Sequence, residues 1–234
     1  WTLSNGAKVY WMPSDKVSSA VHLAMELRFG TGYRTWPQDS IGTCKAAASY
    51  IVRNTGFGSA GYNDIAGSPD CGGVRVTFEF EKEHSTIRLT SGTDDAETGF
   101  RMLHMYLSKP YFDTEANLKR FRSNTLRSLG MVKNNQSTFA REHTKAKMEG
   151  HPWTIQVDSA DVNALDMNMI HDTYRRSFTR PEDLTLFICS DMEPEKVRAY
   201  VEKYLASWTS GHAPAVSEER PFVSAYRGET VLDK

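Results

Sequence analysis

Residues 74–81 constrain the fold more tightly than any other stretch of the chain. Val74, Val76, Phe78 and Phe80 alternate with Arg75, Thr77, Glu79 and Glu81. A period of two marks a strand with one face in a core and the other outside it. Thr86-Ile87-Arg88-Leu89-Thr90 repeats the alternation after a short polar interval, which predicts a hairpin. Such a hairpin needs a layer over its apolar side, so the chain must fold as a sheet covered by other elements.

Upstream, Ala7 to Met12 follows the turn pair Asn5-Gly6 and stops at Pro13, which predicts a first strand. Ala20 to Phe29 places Val21, Leu23, Met25, Leu27 and Phe29 on one side and His22, Glu26 and Arg28 on the other, a half-buried strand. Ser40 to Thr55 is alanine-rich and predicts a close-packed helix, with Gly56 as its C-terminal stop.

Helices are predicted next. Thr93 or Asp94 is the expected cap of one whose stripe is Ala96, Phe100, Leu103 and Leu107, ending at Lys109-Pro110. Asp113 or Thr114 starts another, with Leu118, Phe121, Leu129 and Val132 inward. A third covers Thr138 to Met148, and Val162, Leu165, Met169 and Tyr174 mark a fourth. Leu184 to Cys189 predicts a short buried strand, and Asp191 the cap of a last helix with Val197, Val201, Tyr204 and Leu205 inward. Residues 211–221 read as a linker, and Tyr226 to Leu232 as the start of a new strand. The fold class that follows is α+β: a mainly antiparallel sheet with helices packed on one face. One domain is expected over residues 1–210, with 211–234 leading into a following domain.

Composition excludes several functions. The 234 residues carry a net charge of −1, so no bulk charge draws the chain to nucleic acid or an anionic membrane. No apolar run approaches the roughly 18–20 residues of a membrane span. The chain opens on Trp1 with neither a signal-peptide pattern nor an initiator Met, so a fragment or processed product is expected. Cys44, Cys71 and Cys189 are odd in number and widely spaced, which disfavours a disulfide framework or thiolate zinc site but leaves one bridge open.

Motifs with chemical meaning are few. Gly56-Phe57-Gly58-Ser59-Ala60-Gly61 matches GxGxxG, but a helix precedes it, so a glycine turn is the better reading than a dinucleotide site. No HExxH or HxxEH occurs. His22 and Glu26 lie four apart on a strand, too far to share a metal unaided. Glu142-His143 with Glu149-Gly150-His151 reads as a solvated helix end rather than a zinc site. His104 reads as a satisfied interfacial residue, and Asp94-Asp95 and Glu218-Glu219 as exposed acids. Between residues 116 and 141 stand Lys119, Arg120, Arg122, Arg127, Lys133 and Arg141 with no acid, either a solvated basic face or a wall for an acidic peptide or partner.

Several strings, in order, resemble the pitrilysin/insulinase family of inverted-zincin peptidases, which includes the mitochondrial processing peptidases. They are Leu3-Ser4-Asn5-Gly6-Ala7-Lys8-Val9, the junction Tyr106 to Asp113, Tyr174 to Phe178, Leu184 to Glu193, and Val197 to Leu205. The resemblance spans about residues 3 to 208. It implies the family's metallohydrolase-like fold and an HxxEH motif on the first helix shortly after a glycine. Here Gly42 is followed by Thr43-Cys44, and the motif window is Lys45-Ala46-Ala47-Ala48-Ser49. The family's third zinc ligand is a Glu on the long helix after the junction, but no Glu occurs between Glu115 and Glu142. With every zinc and general-base position changed, no catalytic, cofactor or metal residue is assigned. The resemblance thus implies a degenerate, non-catalytic domain of the kind found in C-terminal halves. It would be about one quarter of a larger protein and inactive alone. Its partner would be a homologous half or subunit that holds zinc and makes the whole a metalloendopeptidase. A peptide would be the shared substrate, and the periplasm is expected by analogy with bacterial relatives. Two other readings stay open: an assembly or binding protein with the same fold and no proteolytic partner, and an enzyme built on His143, His151 and Glu149.

Overall fold

The computed structural model describes residues 1–209 apart from 15–20, 72, 93, 113, 150–153 and 179. Its centre is a five-stranded sheet. The strands are β1 (Lys8–Pro13), β2 (Leu23–Phe29), β4 (Val74–Phe80), β5 (Ser85–Ser91) and β7 (Leu184–Ser190), in the order β1-β7-β2-β5-β4. Every pairing is antiparallel except β1 with β7. A two-stranded ribbon pairs β3 (Thr55–Phe57) with β6 (Pro110–Phe112).

Alternation sets the faces. Leu23, Met25, Leu27 and Phe29 of β2 point inward beside Leu184, Leu186 and Ile188 of β7 and Ile87 and Leu89 of β5. Helices α1 (Ile41–Asn54), α3 (Ala96–Ser108), α7 (Met167–Phe178) and α8 (Pro194–Val201) complete this core. Phe100, Leu103, Ile170, Tyr174, Phe178, Val197 and Val201 are each fully buried in it. Each such side chain contributes about 1.5–3 kcal/mol by leaving water. An aromatic cluster joins the layers: Phe178 meets Phe29, Phe78 and Phe80, and the Tyr174 hydroxyl donates to the Tyr106 carbonyl at 2.8 Å.

Several details differ from expectation. The N-cap position of α3 is Asp95, not Asp94, and Thr93 lies outside the described residues. The last helix starts after Glu193 with Pro194 at its first position, while Asp191 instead pairs with His22 across the sheet. α1 ends at Thr55, which turns extended into β3, so Gly56 is a strand residue rather than a helix stop. The fourth helical pattern breaks at the extended Leu165 into α6 (Ser159–Ala164) and α7. A reciprocal Asp158–Asp161 capping box starts α6. On α4 (Glu115–Asn134) only Leu118 and Phe121 are buried, and Leu129 and Val132 are half-buried against α5 (Gln136–Glu149). The predicted linker 211–221 and strand 226–232 lie outside the described residues.

Candidate functional site

α1 runs through the interior, so its few outward positions define what it can offer. Ala46, Ala47 and Ala48 are buried, and between them and the surface only Lys45 and Ser49 of the window have polar reach. The Lys45 ammonium donates to the Ile155 carbonyl at 3.0 Å and stands 5.0 Å from the centre of the Tyr33 ring, a cation–π distance. The Ser49 hydroxyl donates back to the Lys45 carbonyl at 3.1 Å. Ala48 packs its methyl into a small cluster with Trp36, Ile41 and Cys44. Gly42, ahead of the window, lies against the Asp161 carboxylate, where a Cβ would have no room. Asp161 also accepts from Thr43 at 3.3 Å, which ties α6 to the start of α1.

These groups do not fit a zinc ion. A lysine ammonium bonded to a carbonyl, an apolar methyl and a hydroxyl bonded to its own helix offer none of the imidazole, thiolate or carboxylate donors that zinc takes. Opposite them α4 presents apolar contact, with the Phe121 ring edge-on to Tyr50 at 5.2 Å. Among the described residues no three His, Cys, Asp or Glu side chains converge for a metal.

The window does border a cleft of about 530 Å³. Lys45, Ala48, Ser49 and Val52 form one wall, and Phe78 to Glu81 with Tyr33 form the other. The second wall is β4, the edge strand of the sheet. Burial, with the Glu81 charge beside it, pushes the Tyr33 phenol above its ordinary value. The cleft therefore offers the Lys45 cation, an aromatic hydroxyl with the Glu81 carboxylate beside it, and a strand edge. These are groups suited to holding a polar chain.

The sheet face turned away from the helices is a second surface. Tyr10, Met12 and Phe187 are exposed there, with Tyr10 stacked on Phe187 at 5.5 Å. Beside them Glu26 accepts from Arg28 and Arg88, and Arg88 also pairs with Glu79. Burial raises the Glu26 carboxyl, but the bonds and charges of Arg88 and Arg28 outweigh it and hold the group below its ordinary value.

Other sequence candidates separate in space. Glu26 is committed to arginines and His22 to Asp191, so the two do not share a ligand. His104 Nδ1 meets the Tyr204 carbonyl at 2.7 Å, the satisfied interfacial role expected of it. His143 stacks on Phe139 at 3.9 Å and bonds to the Phe139 carbonyl at 3.0 Å, while His151, Glu218 and Glu219 lie outside the described residues. GxGxxG is a tight turn: Gly58 has φ +65°, and Gly56 sits on the Ala60 carbonyl. All three cysteines are free thiols, and burial raises that of Cys44. Of the six basic residues, Arg122 bonds to the Leu165 carbonyl, while Lys119, Arg120, Arg127, Lys133 and Arg141 are exposed. Sequence reasoning missed the cleft wall, because the order of strands in a sheet leaves no local mark. The β4 alternation was the available signal.

No family model matches the chain. Among solved structures, the periplasmic protease PqqL from Escherichia coli superposes with a TM-score of 0.81 at 16% identity, over 96% of this chain and 24% of that one. An M16 peptidase inactive domain from Pseudomonas fluorescens superposes with a TM-score of 0.75 at 16% identity, over 94% of this chain and 53% of that one. The fold is that of an M16 peptidase domain. A curated relative, the probable zinc protease PqqL of Haemophilus influenzae, is 23% identical over 206 residues. The chain covers 22% of that protein's length. The insulinase-type resemblance read from the sequence thus meets relatives of the same kind. No helix among the described residues is long and apolar enough to cross a membrane.

Proposed function

We propose that this chain is a non-catalytic, chamber-forming domain of an insulinase/pitrilysin-type zinc metallopeptidase, and that it contacts peptide or partner rather than cleaving. One observation carries the reading. An M16 peptidase fold presents Lys45, Ala48 and Ser49 where the resemblance calls for zinc ligands and a general base, and each is engaged in other contacts. The zinc belongs to a homologous catalytic half, in the same polypeptide or a partner subunit. The match covers only 22% and 24% of these relatives, which leaves room for that half. Residues 1–210 are the domain, and 211–234 lead out of it. The β4 edge beside the cleft is a surface on which an extended peptide can add as a strand. The exposed cations of α4 face the partner or an acidic stretch of substrate. The E. coli relative is described as periplasmic, which supports the same compartment here.

The test is a comparison of the whole protein or complex with two variants. One loses the glutamate of the HxxEH expected in the other half. The other carries Lys45→Ala together with Ser49→Ala. The first should abolish peptide cleavage, and the second should leave the turnover number within about twofold. Loss of turnover in the second variant, with zinc content and folding intact, would overturn the reading.

A further inference from the structure

Ser207, Trp208 and Thr209 form one side of a cavity of about 580 Å³, and with Thr209 the described part of the chain ends. The other sides are the C-terminal end of α3, with His104 and Leu107, Phe112 of β6, and the exposed face of α7 that carries Asn168, His171 and Arg175. The chain is held firmly where it reaches this cavity. The Asn5 side-chain amide donates to the Leu205 and Trp208 carbonyls at 2.7 and 2.8 Å, and His104 Nδ1 donates to the Tyr204 carbonyl at 2.7 Å. Trp208 is 3% exposed, with its ring edge-on to Phe29. Whatever follows Thr209 therefore starts in the cavity wall.

The lining is rich in rings and short of net charge. Phe112 meets His171 edge-on at 4.8 Å. Burial, then the Arg175 charge, lowers the His171 imidazole below its ordinary value, so the ring is neutral near pH 7. Arg175 itself is paired with Asp172 at 2.6 Å. A neutral, ring-lined cavity suits an uncharged segment with apolar side chains. The chain supplies one: residues 210–217 hold no Lys, Arg, Asp or Glu, and Ala213-Pro214-Ala215-Val216 is small and apolar. Pro214 fixes its own φ and biases Ala213 towards extended backbone, so less entropy is lost when this stretch is ordered. Aromatic-lined grooves take extended, proline-bearing segments in this way. Four extended residues span at most about 14 Å, so a stretch that begins just past Thr209 reaches across the cavity.

We propose that residues 213–216 of this same chain dock in the cavity and latch the exit of the domain onto α3 and α7. Pro214 lies on the aromatic side, against Phe112 and Trp208. The latch sets the direction in which the chain beyond residue 216 leaves. It stands on its own geometry and holds whether or not the chain belongs to a peptidase.

The experiment uses the full chain carrying Ala213→Cys or Ala215→Cys, each compared with a blocked peptide of residues 210–220 bearing the same substitution. Alkylation is followed peptide by peptide by mass, so Cys44, Cys71 and Cys189 are read apart. In the chain the new thiol should react about tenfold more slowly than in the peptide, the protection given by a segment docked about nine-tenths of the time. Asn168→Trp, at an exposed position in the cavity wall, should return the thiol at 215 to the peptide rate and leave the melting temperature unchanged. Arg175→Trp, also exposed in that wall, serves as the second blocking variant should the first unfold. The proposal is overturned if the thiols at 213 and 215 react at the peptide rate. It is also overturned if protection survives a folded blocking variant, which would place the segment elsewhere, such as the uncovered sheet face or the cavity beside α2 (Tyr62–Ala66). Protection that rises with chain concentration would place it on a second copy and overturn the proposal as well.

Discussion

Gly56 shows how a motif that resembles chemistry can be pure sterics. A Cβ at this position would meet the Ala60 carbonyl, a backbone atom that no rotamer change can move. Gly56→Ala should therefore destabilise the chain by about 1–3 kcal/mol, the range for overpacking, read as a lower melting temperature. A conservative change at an exposed position such as Ser59 should do almost nothing. Glu26 makes a second case, with a pH signature. Its carboxyl is held below its ordinary value in the fold, so its stabilising effect is complete above the unfolded value and is lost as pH falls through the folded one. Glu26→Gln should cost about 1 kcal/mol near neutral pH, allowing for the solvent around both arginines. That cost should shrink towards zero as pH falls through and below the lowered Glu26 value in urea titrations of the two proteins. An unchanged penalty at low pH would mean that packing, not charge, holds this face.

At the scale of elements, burial is uneven, and local stability should follow it. α1 is buried along most of its length, and β2 is sandwiched between β7 and β5. The hairpin of α4 and α5 is different: past Phe121 no described side chain is buried, and Met131 and Met148 are 66% and 64% exposed. Hydrogen exchange should show α1 and β2 opening only with global unfolding, and α5 exchanging at least tenfold faster by sub-global opening. Equal protection of α5 in the isolated chain would contradict this. The same unevenness explains what could be read from sequence. The β4–β5 hairpin, β2 and α3 are legible because each buries one face, which writes its period into the residues, and α1 is legible from its run of small helix-forming alanines. The break between α6 and α7 was not, because Leu165 is apolar and fully buried, and so continues the helical pattern through a non-helical turn. Helix caps were misplaced where several acids stood close together. Asp191 has the chemistry of a cap, and only the tertiary position of His22 diverts it.

At the scale of the whole molecule, the described residues form a sheet with one face under helices and the other left uncovered by them. A bare antiparallel face is usually polar. Here half of it is the Glu26–Arg88–Glu79 network, and half is Tyr10, Met12 and Phe187. Under the proposed function, a wall of this kind would be covered by a neighbouring domain. The candidate site was legible only in part. The letters of the 45–49 window expose the missing imidazoles and carboxylate directly. That the window borders the β4 edge depends on contacts between distant segments that no local pattern records. The central claim, that this domain contributes surface rather than chemistry, meets its most direct test in the zinc content of the purified chain. Measured by elemental analysis after dialysis against metal-free buffer, alongside a broad peptide-cleavage assay, the chain should carry no stoichiometric zinc and cleave nothing. One tightly held zinc per chain, with chelator-sensitive cleavage by the chain alone, would contradict the account.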